Sequence, residues 1–217
     1  MEIGVTTKGV SCHGSAPERG VNAVYMMAKV CNEIEKLNTR LTDDKFLGKG
    51  TVTVSYIDCK TPSLCAVPDR AFIHLDRRLT KGETKDSAVA EVKDAIKRAG
   101  VEADVEVLKY AVPSYTNFTY ETEKYFPTWV LEEDHVLCKS SVETFEKLFT
   151  SKPKVDKWTF STNGIATMGM MGVPTIGFGP ANEVYAHSID DQCPVEHLVK
   201  AAAFYAAFPT SYCAKKK

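Results

Sequence analysis

Thr51-Val52-Thr53-Val54-Ser55-Tyr56-Ile57 alternates polar and apolar side chains, and Ala71-Phe72-Ile73-His74-Leu75-Asp76-Arg77 alternates again a few residues later. Period-two alternation marks a strand with one buried face, so the sequence predicts two consecutive strands, with Ala71, Ile73 and Leu75 sharing the inner face of the second. Upstream, the stretch 22–41 carries Ala23, Met27, Val30, Ile34, Leu37 and Leu41 at spacings of three and four, the stripe of an amphipathic helix. Before it, Ile3 and Val5 fall on one face of a strand that turns at Lys8-Gly9, and a loop rich in Gly and Pro ends at Gly20. Downstream, a second helix is expected over 83–99, with Ala88, Val92 and Ile96 inward and Gly100 as its stop. A last strand runs through Val105 and Val107. The order is therefore β-α-β-β-α-β.

That order is the split βαβ arrangement of a ferredoxin-like domain, a four-stranded sheet with both helices on one face and an edge or open face free for pairing. It is expected over 1–110. The arrangement hosts sensing modules, nucleic-acid binders and dimerisation domains alike, so it does not name a function. The basic and aromatic residues that RNA-binding sheets display are not evident here.

The second half, 111–217, reads differently. Residues 110–128 are rich in Pro, Tyr, Thr and Asn and read as a crossing between domains. A helix is then expected from near Asp134, with Val142, Phe145 and Phe149 on its buried side. After it come a strand over 157–161, a short helix over 163–171, a strand over 175–178, a glycine-rich loop to His187 and a helix over 195–207. Two short strands and three helices make a thin α/β layer, part of a sandwich rather than a whole one.

Composition narrows the class. The chain has 217 residues, 44% hydrophobic and 25% charged, with a formal net charge of -1, which describes a globular protein without the clustered cations of a nucleic-acid or membrane-surface binder. The longest apolar run, 201–208, is far short of the roughly 20 residues that span a bilayer. Seven cysteines (Cys12, Cys31, Cys59, Cys65, Cys138, Cys193, Cys213) form an odd set with no C-x-x-C pair, and no charged-then-apolar leader precedes them. A reduced, cytoplasmic setting is the expectation.

Three segments carry chemistry. Gly9-Val10-Ser11-Cys12-His13-Gly14-Ser15-Ala16-Pro17-Glu18-Arg19-Gly20-Val21-Asn22-Ala23 places a histidine in a glycine-rich loop, and Asp76-Arg77-Arg78 ends a strand with paired charges. Trp158-Thr159-Phe160-Ser161-Thr162-Asn163-Gly164 is followed by Gly172-Val173-Pro174-Thr175-Ile176-Gly177-Phe178-Gly179-Pro180 and by Ala186-His187. In this order they resemble the co-catalytic zinc hydrolases that include carboxypeptidase G, acetylornithine deacetylase, aminoacylase and succinyl-diaminopimelate desuccinylase, and most nearly the selenium-metabolism-linked branch.

The resemblance implies a ferredoxin-like lid that pairs two subunits and interrupts a zinc-peptidase α/β catalytic domain, of which 111–217 would be the carboxy-terminal part. It implies two zinc ions that activate water against an amide or peptide bond next to a carboxylate, in N-acyl amino acids or peptides. Most ligands and the general base would lie in an amino-terminal half that precedes the lid. In this chain the resemblance assigns His187 to a metal-ligand position. It assigns His13 to a catalytic donor that reaches the partner subunit's site, and Arg78 to the grip on a substrate carboxylate. Ser161, Thr162, Asn163 and Gly179 would line the substrate cleft. The chain departs from the family at Cys65, where many members have Asn, and at Ser188-Ile189-Asp190-Asp191 in place of Thr-x-Asn-Glu. Alone it is expected to be inactive, either as a fragment of the hydrolase or as a dimerisation and assembly module that complements a separate amino-terminal half. His74, His135 and His197 have no functional reading from sequence.

Overall fold

The computed structural model describes residues 1–158 and 160–215. They form two compact units, Met1–Thr128 and Trp129–Lys217.

The first unit has the expected element order. Strand β1 (Glu2–Lys8) leads to helix α1 (Ala23–Arg40), then β2 (Thr51–Lys60), β3 (Arg70–Arg78), α2 (Lys85–Ala99) and β4 (Asp104–Val107). The sheet order is β2-β3-β1-β4, antiparallel throughout, so β2 and β4 are the edges. The Asn22 side chain caps α1 by accepting from the N–H groups of Val24 and Tyr25. Thr84 and Ser87 form a reciprocal cap on α2, and Gly100 closes it in the left-handed conformation at φ 66°. The stripe Ala23, Met27, Val30, Ile34, Leu37 and Leu41 is buried, as are Ala88, Val92 and Ile96 of α2. These residues join Ile3, Val5, Val52, Ala71, Ile73 and Leu75 in one apolar cluster, which places both helices on one face of the sheet and leaves the other face open.

Residues 111–128, read from sequence as the crossing, belong to this first unit. Lys109–Tyr110 pairs with Thr122–Glu123, and the Lys124 N–H donates to Leu108 O while its carbonyl accepts from the Glu2 N–H. The chain thus folds back along the sheet before it leaves.

The second unit departs from the sequence reading. Helix α3 (Val136–Phe149) forms with His135 as its cap, but its fully buried residues are Cys138, Ser140 and Thr144. The expected inner residues Val142, Phe145 and Phe149 are half-buried on its flank, where Phe145 meets Phe149 and Phe178 edge-on. No strand forms over 175–178, nor at 157, 158, 160 and 161; Thr159 of the expected strand 157–161 lies outside the described residues. A strand persists only where a neighbour takes its N–H and C=O groups, and no described segment of this unit supplies one. The short helix expected over 163–171 is a π-helical turn at Ile165–Met170. Helix α4 (Val195–Ala214) runs past the expected end at 207 and carries Pro209 inside it. Phe204, 1% exposed, stacks on Phe178 at 4.1 Å and anchors α4 to the 175–178 segment. Among the described residues, no helix is long and apolar enough to cross a membrane.

Candidate active site

The loop that carries His13 is held by backbone bridges. Val10 pairs with Val21, His13 pairs with Ala66, and the Gly14 N–H donates to Cys65 O at 2.7 Å. Glycine is required where these backbones meet: a Cβ on Gly9 would lie 2.0 Å from Val21 O, and one on Gly14 would lie 2.7 Å from Cys65 O. The His13 ring is exposed, and its Nδ1 accepts from the Ser15 N–H at 3.2 Å, with Ser15 Oγ at 2.7 Å. An acceptor Nδ1 puts the proton of a neutral ring on Nε2, which leaves that nitrogen as a donor.

Arg78 ends β3. Its side chain is 62% exposed and pairs with Asp76 at 3.1 Å, within the range of ordinary surface ion pairs. Its neighbour Arg77 points the other way and is fully buried, with Nη2 donating to Glu83 at 2.6 Å and to Glu91 at 2.9 Å. Glu83 also accepts from the Thr80 N–H at 2.8 Å, so the Arg77 cluster fixes the exit of the strand that presents Arg78. Sequence reading missed this. Alternation along β3 carries the signal, since Arg77 falls in step with Ala71, Ile73 and Leu75.

His13 and Arg78 do not converge within one lid. His13 bridges Ala66, just before β3 begins at Arg70, and Arg78 closes the same strand, which at ordinary strand rise spans roughly 26 Å.

In the second unit, Ser161 and Asn163 are exposed, and Thr162 Oγ1 accepts from the Gly164 N–H at 3.2 Å. The Asn163 carbonyl accepts from the Ala166 and Thr167 N–H groups and starts the π-helical turn. Gly179 is open, with room for a side chain, and Gly177 lies against the Trp158 indole. His187 is exposed in the left-handed conformation at φ 63°, a backbone state that costs a residue with a Cβ about 1–2 kcal/mol. The next turn is held by Ser188, whose Oγ donates to Tyr185 O at 2.8 Å and accepts from the Asp190 N–H.

Zinc needs three or four protein ligands at about 2.0–2.3 Å. Among the described residues no group of three or more His, Cys, Asp or Glu is placed to hold a metal ion, so the donor set of this chain does not fit a zinc pair.

Residues 1–104, which hold the antiparallel sheet and its two helices, match the family model of the peptidase dimerisation domain. The chain is 50% identical over 216 residues to the uncharacterised protein YgeY of Escherichia coli (strain K12), covering 99% of this chain and 53% of that protein. It is 22% identical over 215 residues to the N-formyl-4-amino-5-aminomethyl-2-methylpyrimidine deformylase of Bacillus subtilis (strain 168), covering 94% and 49%. Its fold is similar to that of aminopeptidase PepT from Bacillus cereus ATCC 10987, with a TM-score of 0.65 at 20% identity over 98% of this chain and 51% of that one. The chain spans about half the length of the curated relatives it matches. The first unit is therefore a peptidase dimerisation domain of the M20 kind, and over its whole length the chain is similar to proteins of the metallopeptidase and amidohydrolase class.

Proposed function

We propose that this chain supplies the pairing lid and the carboxy-terminal part of the catalytic domain of a zinc-dependent amide hydrolase, and that two lids pair antiparallel along β2. The observation that carries the reading is the separation of His13 from Arg78 along β3. Antiparallel pairing about a twofold axis sets the start of one β2 against the end of the other. The His13 end of one lid then faces the Arg78 end of its partner, which a single lid cannot achieve.

The edge is suited to the task. From Ser55 to Lys60 every residue of β2 is exposed, including Tyr56 and Ile57, and a long unprotected edge is a template for a second strand. In the assembled site His13 donates to the developing oxyanion, and Arg78 grips the carboxylate of an N-acyl amino acid or peptide. Ser161, Thr162, Asn163 and Gly179 line the cleft, and His187 contributes one metal ligand beside others from an amino-terminal half. That half also supplies strand partners for 175–178 and for the described residues 157, 158, 160 and 161, and covers the exposed side chains of Trp158, Phe160 and Val173. A cytoplasmic setting accords with seven free cysteines.

The test joins the amino-terminal half of the Escherichia coli relative to this chain. The joined protein is expected to retain zinc and hydrolyse N-acyl amino acids, with the chain alone inactive. Mixed dimers of its His13→Ala and Arg78→Ala forms are expected to regain turnover that neither parent has. Zinc-dependent turnover by the chain alone, or no complementation in the mixed dimers, overturns the reading.

A further inference from the structure

The open face of the first unit carries a hydrogen-bonded chain of serine, histidine and carboxylate that the reading above does not use. Ser55 Oγ lies 2.5 Å from His74 Nδ1, and His74 Nε2 lies 2.8 Å from Glu2 Oε2. Three strands bring them together. Glu2 sits on β1, diagonal to His74 on β3 through the Glu2/Asp76 and Gly4/His74 pairs. Ser55 sits at the β2 irregularity where the register shifts between Val54 and Tyr56. Such a bulge re-aims a side chain, and here it brings the Ser55 hydroxyl over the imidazole.

The protonation pattern follows from the partners. The carboxylate of Glu2 also accepts from Lys124 Nζ at 2.7 Å. Burial works to raise the Glu2 carboxyl, but the hydrogen bonds from Lys124 and His74 outweigh it and hold the group below its ordinary value. An ionised Glu2 can only accept, so His74 Nε2 carries a proton toward it, and Nδ1 of the neutral ring is left to accept from the Ser55 hydroxyl. This is the relation of nucleophile, base and orienting carboxylate, with the two ring nitrogens exchanged relative to the serine proteases. His74 and Glu2 are 22% and 28% exposed, half-buried, while Ser55 is open to solvent. Gly4 faces His74 without a side chain, and the Phe72 and Leu108 side chains close over it, so a Cβ there would lie 2.9 Å from each. Phe72 also walls an open hollow of about 260 Å³ with Asp58, Cys59, Lys60 and Arg70.

We propose that Ser55 is a nucleophile, activated by His74 and oriented by Glu2, that takes the acyl group from activated esters of small carboxylic acids. Ser55 Oγ forms a bond to the carbonyl carbon as its proton passes to His74 Nδ1. The bond from that carbon to the leaving oxygen breaks, and His74 returns the proton to this oxygen. Water then attacks the acyl carbon, gives its proton to His74, and releases the acid as Ser55 regains its hydrogen. The site lies wholly within one lid and uses no metal, so it stands or falls apart from the zinc reading. Edge pairing along β2 joins backbone groups in the plane of the sheet and side chains on its helix-covered face, such as Ile57 opposite Ile73, and leaves this face free.

The test is acetylation by p-nitrophenyl acetate, followed by the release of nitrophenol and by peptide mapping of the acylated chain. The unaltered protein, with or without a zinc chelator, is expected to carry one acetyl group on Ser55. Ser55→Ala, a change at an exposed position, is expected to remove it, and His74→Gln to slow acylation about 100-fold. Glu2→Gln is expected to slow it as well, with folding of each variant checked by circular dichroism. Acetyl groups mapping to Cys59 or to lysines instead of Ser55, or a rate unchanged in Ser55→Ala, overturn the proposal.

Discussion

Replacing Glu83 by glutamine removes one charge from the most buried ionic cluster of the first unit and changes almost nothing in shape. Glu83 uses both oxygens, one accepting from Arg77 Nη2 at 2.6 Å and the other from the Thr80 N–H at 2.8 Å. Glutamine has one acceptor oxygen, so its amide N–H₂ faces one of these donors and leaves it unsatisfied, a loss of about 1–3 kcal/mol. Arg77 has no exposed side-chain surface and its Nε already lacks a partner, so Glu91, 31% exposed, is left as its counter-charge among the described residues. Breaking a buried pair from one side costs about 3–5 kcal/mol in all. That is a drop of roughly 10–20 °C in the midpoint of a unit of this size. Urea unfolding of Glu83→Gln against the unaltered chain, followed by far-ultraviolet circular dichroism, reads the difference. A loss below about 1 kcal/mol, the worth of a surface ion pair, would falsify the claim that this cluster is dry and holds the β3 exit.

Three further outcomes follow from the same geometry. The Glu2 carboxyl is held below its ordinary value of 4.5 in the folded state, so the stability it lends is present above that pH and is lost as pH falls through the folded value. The urea midpoint of the first unit is expected to fall below about pH 4.5, and less steeply in Lys124→Met; parallel curves for the two proteins would refute it. Gly9→Ala drives a Cβ into the Val21 carbonyl and is expected to cost about 1–3 kcal/mol, read as a shift of the same unfolding transition. Phe204→Ala removes a ring that stacks on Phe178 and Phe208 and is expected to cost about 3–5 kcal/mol within the second unit alone. Limited proteolysis within 129–217 should then accelerate while the first unit keeps its rate, and unchanged cleavage would count against Phe204 as the anchor.

The first unit was legible because its helices and strands bury one face each. The α1 stripe from Ala23 to Leu41 and the inner residues of β3 are all inside, as periodicity requires. The end of β2 was not, because Asp58, Cys59 and Lys60 are exposed on both faces of an edge strand and leave no alternation to read. Nor was the register shift at Ser55, which depends on the partner strand and joins three residues far apart in sequence. In the second unit, the alternation of Trp158 with Phe160 and of Ile176 with Phe178 reports a wish for burial but not a partner, so the strands expected there have no ladder to join among the described residues. On α3 the small polar residues Ser140 and Thr144 lie inside; the Thr144 hydroxyl donates back to Ser140 O at 2.7 Å, while Ser140 Oγ is buried without a hydrogen-bond partner among the described residues. Of the candidate site residues, sequence placed His13 and Arg78 on the right loop and strand. Their distance along β3 emerges only from the fold.

The most direct test of the pairing lid is the mass of the chain in solution by sedimentation equilibrium, measured for the unaltered protein and for Ile57→Glu, a change at an exposed position of the β2 edge. The account predicts a dimer of twice 23.9 kDa for the first and a folded monomer of 23.9 kDa for the second. A monomer for both, or a dimer that Ile57→Glu leaves intact, would contradict pairing along β2.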